Sequence, residues 1–169
     1  MTLDGVTARD GEEILVRANG QVWSQSWHPP PTPPAGTPHG SLGICVTAEG
    51  DIVLVSEDGE HWDLPAGRPE GNETWEQTLR REMLEEACAA AVSARLLGFA
   101  RGACIEGPEQ GLVLVRSLWR ADVELAPWEP AFEITHRRLV TPAELAPNLL
   151  VGHPFAPILR RALAEAGLL

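Results

Sequence analysis

The stretch "LPAGRPEGNETWEQTLRREMLEEACAAA", Leu64 to Ala91, decides the reading of this chain. Thr74 followed three residues later by Gln77 is a capping box, so a helix is expected to start at Thr74 and run through Glu86. Trp75, Leu79, Met83 and Ala87 recur every fourth residue and predict an apolar ridge for a core. At about 100° per residue, Glu82, Glu85 and Glu86 fall within an arc of about 100° on the neighbouring face. One stripe is therefore built for burial and the next for carboxylates.

Outward from this helix the sequence reads as short strands. "EEILVRANGQVWSQSW" predicts two strands about Asn19-Gly20, a dipeptide that favours a type I′ hairpin turn. "HPPPTPPAGTPHG", His28 to Gly40, has few backbone donors and is expected to be a connector. A second hairpin is expected from Ile44-Cys45-Val46 and Ile52 to Val55, turning over Ala48 to Asp51. "ARLLGFARGAC" and "GLVLVRSLWRADV" predict two more strands joined by "IEGPEQ", and "EITHRRLV" a last one. Thr141-Pro142 then starts a short helix, with proline at its first position. Ile158, Leu159, Leu163 and Ala166 predict a closing amphipathic helix. Strands wrapped by helices give an α+β fold, a mixed sheet sandwiched between helices. The expected division is a hairpin extension over 1–27, a proline-rich linker over 28–40 and one domain over 41–169.

Composition narrows the chemistry. The 169 residues carry a formal net charge of −11, which argues against a nucleic-acid polymer, because phosphate backbones are bound by clustered Lys and Arg. An acidic protein can still bind phosphate compounds through a metal ion that supplies the positive field. Cys45, Cys88 and Cys104 form no C-x-x-C pair and leave one over, a pattern that suits a reducing interior. With no signal-like N-terminus and no apolar run of transmembrane length, a cytoplasmic protein that does not enter the membrane is expected.

Like charges one turn apart cost a helix only about 0.2–0.5 kcal/mol per pair, so spacing alone leaves a solvated face and a cation site in balance. The Gly- and Pro-rich loop "PAGRPEGN" favours the site, since its backbone can approach a ligand closely. Oxygen-only ligands suit a hard cation such as Mg²⁺ or Mn²⁺.

The same stretch resembles the Nudix box, G-x5-E-x7-R-E-U-x-E-E-x-G-U with U aliphatic. Gly67, Glu73 and Arg81-Glu82-Met83-x-Glu85-Glu86 match it in register, and "HWDLPAG" is similar to the family's W-x-L-P-G-G lead-in. The order of strands and helices extends the likeness from Ser41 to about Leu163. Three positions depart: Cys88 stands for the box glycine, Ala89 for its last aliphatic residue and Ala66 for the first lead-in glycine. A left-handed Cys88 would cost about 1–2 kcal/mol. The alanine-rich "ACAAAV" is therefore expected to carry the helix one turn further.

The resemblance implies an α/β/α sandwich and hydrolysis of a nucleoside diphosphate linked to another group X. It makes Glu85 and Glu86 the principal Mg²⁺ or Mn²⁺ ligands, with Glu82 a further ligand or the base and the Ala66 carbonyl another ligand. Arg81 and Glu73 become a structural ion pair. A further carboxylate is expected from downstream: Glu133, with Glu106 and Glu109 as rivals. His136 and His153 are read as structural, and Trp62, Trp119 and Trp128 as core or rim residues with no assigned role. The long N-terminal hairpin leaves a homodimer open. The alternative reading is a non-catalytic Nudix-fold module that binds a nucleotide or a protein. An isomerase of isoprenoid diphosphates on a related fold is weaker, because neither Cys45 nor Cys104 falls convincingly into a catalytic position.

Overall fold

The computed structural model describes residues 5–169. β1 (Ile14–Ala18) and β2 (Gln21–His28) form the expected hairpin. Asn19 and Gly20 both have positive φ, 52° and 72°, as a type I′ turn requires. β3 (Thr37–Val46) and β4 (Ile52–Ser56) follow, then the two-residue β5 (Ala66–Gly67) and helix α1 (Trp75–Ala87). β6 (Ala89–Glu106), β7 (Val113–Leu125) and β8 (His136–Val140) complete the sheet. A 3-10 turn (Pro142–Glu144), a π-helical turn (Ala146–Leu150) and helix α2 (Ala156–Glu165) close the chain.

The strands lie in the order β1-β2-β6-β7-β3-β4-β8, with β5 paired to β3. Among the described strands, β3 and β7 pair in parallel and the other strand pairs are antiparallel. Alternation along the central strands sends side chains to two cores. Ile44, Ile52, Leu54 and Leu118 meet Ile158, Leu159 and Leu163 of α2 on one face. Cys45, Val53, Val55 and Trp119 meet Leu79, Met83 and Ala87 of α1 on the other. The result is the expected α/β/α sandwich about a mixed sheet.

Three expectations need correcting. The helix does not run on past Glu86 by a turn: it stops at Ala87, and Cys88 takes the left-handed conformation, φ 51° and ψ 41°. Tertiary pairing overrides alanine's helix propensity here, because Ala89, Ala90 and Ala91 enter β6 opposite Leu125, Glu124 and Val123. Arg137 Nη1 donates to the carbonyl of Ala87 at 2.8 Å, satisfying a group the helix end leaves open. Second, β6 is therefore longer at its N-terminal end than "ARLLGFARGAC" implies. Third, the proline-rich segment is not connector throughout, since Thr37–Gly40 already belongs to β3 and β2 reaches His28. The N-terminal hairpin is continuous with the main sheet through β2 and β6, from Val22↔Glu106 to His28↔Phe99. No helix among the described residues is long and apolar enough to cross a membrane.

Candidate active site

The capping box at Thr74 is present in both directions: Gln77 N donates to Thr74 Oγ1 at 3.2 Å and Thr74 N to Gln77 Oε1 at 2.9 Å. It fixes the start of α1, and therefore the phase of every residue after it. Leu79, Met83 and Ala87 are buried as the ridge predicts. Trp75 packs edge-on against Phe99. With that ridge inward, Glu82, Glu85 and Glu86 flank the loop before the helix.

Arg81 clips that loop to α1. Its Nε and Nη2 donate to the two carboxylate oxygens of Glu73 at 2.8 and 2.9 Å, and Nη2 also donates to the carbonyl of Arg68 at 2.8 Å. The guanidinium holds the Glu73 carboxyl down at about 2. The remaining nitrogen, Nη1, donates to Glu82 at 2.6 Å and Glu85 at 3.1 Å.

Glu86 sits apart from this clip. Its Oε1 accepts from the backbone N–H of Ala66 at 2.7 Å, so the residue in the lead-in's first glycine position touches the helix directly. Burial is the main force on the Glu86 carboxyl and pushes it up to about 7, with Glu82, Glu133 and Asp63 adding repulsion. Glu82 is raised by burial too, against the pull of Arg81. Two glycines permit the approach of loop and helix. A Cβ at Gly67 would lie on the Glu82 carboxylate, and one at Gly40 would lie on the carbonyl of Gly67.

Of the downstream carboxylates, Glu133 is an electrostatic neighbour of Glu86, presented by a loop that turns at Phe132 with φ 56°. Glu109 is at the hairpin instead, where its carboxylate accepts from Gln21 Nε2 at 2.9 Å. Glu106 stands beside it, opposite Val22. His153 pairs with Asp63 Oδ2 at 3.0 Å and leans on Phe155. His136 donates to or accepts from Thr135 and edges against Trp62. Trp119 is core, its Nε1 donating to Ser117. Trp62 lies under Arg138, and Trp128 under Arg137 in an open groove shared with Glu85 and Cys88.

Two residues escaped the sequence reading. Asp63 lies inside the lead-in, where the motif gives it no separate signal. Arg116 interrupts an apolar strand between Leu114 and Leu118, and a charge on a core-facing strand position was the available signal. Among the described residues, the only three His, Cys, Asp or Glu donors within 4.8 Å of one another are Asp58, Glu60 and His61, all exposed. There Asp58 Oδ1 accepts from the N–H groups of Glu60 and His61, an Asx turn that accounts for the cluster. Glu82, Glu85 and Glu86 share a face without closing to that distance, because Arg81 draws the first two and Ala66 holds the third.

Comparison with known proteins agrees with this architecture. In structure the chain is similar to the pyrophosphohydrolase BsRppH of Bacillus subtilis, at TM-score 0.72 and 20% identity over 92% of this chain and 96% of that one. It is similar to a NUDIX hydrolase from Nitrosomonas europaea, at TM-score 0.61 and 17% identity over 79% and 89% of the two chains. It is also similar to the MutT protein from Methanosarcina mazei Go1, at TM-score 0.58 and 18% identity over 79% and 98%. At such identities the likeness is one of fold. No curated protein matches in sequence. The family model for the NUDIX domain matches residues 37–162, from the first residue of β3 into α2, and on that match the chain belongs to the NUDIX domain family.

Proposed function

We propose that this hydrolase cleaves the P–O–P bridge of a nucleoside diphosphate joined to another group X, using Mg²⁺ or Mn²⁺. The observation that carries the reading is Glu86: a largely desolvated carboxyl, fixed to the Ala66 peptide and crowded by Glu82, Glu133 and Asp63. Carboxylates gathered this way repel one another, and a hard divalent cation offsets that repulsion. The donor set is all oxygen, so it fits such an ion. Glu82, Glu85, Glu86 and the Ala66 carbonyl would hold it, as the family resemblance implies. Bound there, the metal neutralises phosphate charge and lowers the pKa of a coordinated water.

The chain's own residues divide the remaining work. Glu82, desolvated and raised above the ordinary carboxylate range, is suited to accept a proton from an attacking water or to serve as a further ligand. Glu133, from its separate loop, is suited to the same proton transfer. Arg81 positions: it locks the Glu73 loop to α1 and sets the spacing of Glu82 and Glu85. The Bacillus neighbour is a pyrophosphohydrolase, which supports the reaction class. Group X is open.

Phosphate release from a panel of nucleoside triphosphates, dinucleotides and nucleotide sugars tests the proposal. Turnover is expected with Mg²⁺ or Mn²⁺ and not in excess EDTA, and Glu86→Gln should lower kcat by roughly a hundredfold or more. Full turnover in EDTA, or an unimpaired Glu86→Gln enzyme, would refute it.

A further inference from the structure

On the sheet face opposite α1 stands a charge that the proposed metal site does not use. Arg116 lies on β7 between Leu114 and Leu118, and Leu118 belongs to the α2-side core. Residues two apart on a strand share a face, so the guanidinium rises from the same side. It is half-buried, and burial is the main cause that draws its pKa down. Among the described residues it forms no hydrogen bond and no ion pair. Its Cζ lies over the Phe155 ring, 5.9 Å from the centroid.

Unpartnered buried charge is costly, and interior charges are ordinarily paired. The surroundings of Arg116 intensify the cost. Arg68 and Arg116 repel one another, and both depress His39, which burial already lowers. Three basic groups thus share one neighbourhood in a chain of net charge −11, with Asp63 acting on Arg116 and Glu109 on His39 from a distance. His39 owes its place to a β-bulge. The β3–β7 register jumps from Pro38↔Val115 to Gly40↔Arg116, leaving His39 as the extra residue. Bulges re-aim side chains and recur beside active sites.

Small residues flank Arg116 on both neighbouring strands. Its cross-strand neighbours are Ala100 on β6 and Gly40 on β3, the two smallest kinds of side chain. Gly40 also abuts Gly67, whose own missing Cβ admits the Glu82 carboxylate. Asp63 lies within electrostatic reach of both Glu86 and Arg116, so the basic group borders the acidic one.

We propose that Arg116, flanked by Arg68 and His39, is an anion-binding subsite that takes a phosphate group of the substrate beside the carboxylate cluster. The guanidinium offers planar, paired donors that match a phosphate's oxygens, and none of them is taken up by a carboxylate at hydrogen-bond or ion-pair distance among the described residues. Phe155 and the strand limit its rotamers, so little entropy is lost on binding. The assignment of the substrate as a phosphate compound rests on the proposed function; the binding test below does not need turnover.

Inorganic pyrophosphate and ADP serve as probes, titrated calorimetrically into the full chain in excess EDTA and again with Mg²⁺. Arg116→Met keeps the length and apolar stem and removes the charge. Affinity for both probes should fall roughly ten- to hundredfold in EDTA, and Arg116→Lys, with charge but no fork, should recover part of it. Glu86→Gln, which removes a carboxylate near the subsite, should bind the probes in EDTA at least as tightly as wild type does. The thermal midpoint of Arg116→Met should hold or rise, because a half-buried guanidinium without an ion pair is gone; a merely structural arginine would lower it. The inference is overturned if Arg116→Met binds within about twofold of wild type, if wild type binds neither probe at millimolar concentration, or if lost binding comes with a collapse of the midpoint. Lost binding in Arg116→Met beside normal turnover of Glu86→Gln would instead sink the metal mechanism and leave this subsite standing.

Discussion

Cys88 carries the residue-level conflict in this protein. It must close α1 in the left-handed region, at φ 51°, where a Cβ crowds the following carbonyl. Glycine would adopt that conformation without strain, but it would also give the unfolded chain more freedom to lose. The strain is about 1–2 kcal/mol, and the entropic penalty of glycine about 0.4–1 kcal/mol. The Sγ contributes only a long contact to the carbonyl of Glu129 at 3.6 Å, so little else depends on the side chain. Cys88→Gly should therefore stabilise the protein by about 0.5–1 kcal/mol. For a chain of this size that is a rise of about 1–4 °C in thermal midpoint. A midpoint that falls would show that the Glu129 contact or the thiol's burial outweighs the backbone strain. Sequence pattern marked Cys88 as a departure, yet alanine propensity pointed to the wrong resolution. Helix propensities differ by under about 1 kcal/mol per residue, which is less than a run of ladder hydrogen bonds and the burial of Ala89 supply together.

At the level of elements, α1 and its preceding loop behave as one unit because Arg81 ties them. Glu73 accepts from both Nε and Nη2 of Arg81, from Glu70 N at 2.7 Å and from Thr78 Oγ1 at 3.2 Å. Hydrogen bonding to the charged form, Arg81 first, lowers its pKa from 4.5 to about 2. A depressed carboxylate contributes stability that is complete above its unfolded pKa and is lost as pH falls through its folded one. The wild-type protein should thus exceed Glu73→Gln in stability near neutrality, and the difference should shrink as pH falls from about 4.5 to about 2. Chemical denaturation of both proteins across that range measures it; a gap independent of pH would exclude the ion pair as its source. This unit was also the most legible part of the sequence. The capping box, the every-fourth ridge and the charge spacing each report on i to i+4 geometry, which a helix enforces locally. Glu133 and Asp63 are different. They reach Glu86 through loop placement and sheet order, which no local period encodes, so the sequence names Glu133 only through the family resemblance and keeps Glu106 and Glu109 as rivals. Arg116 was hidden for a related reason: its lack of partners is a property of three strands at once.

Over the whole molecule, the charge of −11 raises a question that any metal experiment must face. Adding salt of any kind screens self-repulsion within an acidic protein and stabilises its compact state without binding anywhere. A specific divalent site adds a second effect, RT ln(1 + [L]/Kd), which depends on the ion and not on ionic strength. The two separate cleanly if MgCl₂ is compared with NaCl at matched ionic strength. At a free Mg²⁺ concentration a hundred times its Kd, the specific term is about 2.7 kcal/mol, roughly 5–11 °C in a chain this long. Wild type should show that excess of MgCl₂ over NaCl. Glu86→Gln should respond to both salts alike, because its screening is nearly unchanged while the site has lost its most desolvated ligand. The single substitution also relieves repulsion from Glu82, Glu133 and Asp63, so its midpoint without metal should lie at or above that of wild type. A higher baseline with a smaller magnesium response is the signature of carboxylates gathered for a cation at the expense of stability. Equal magnesium and sodium responses in wild type would mean that the cluster is only a repulsive patch, relieved by ions at a distance.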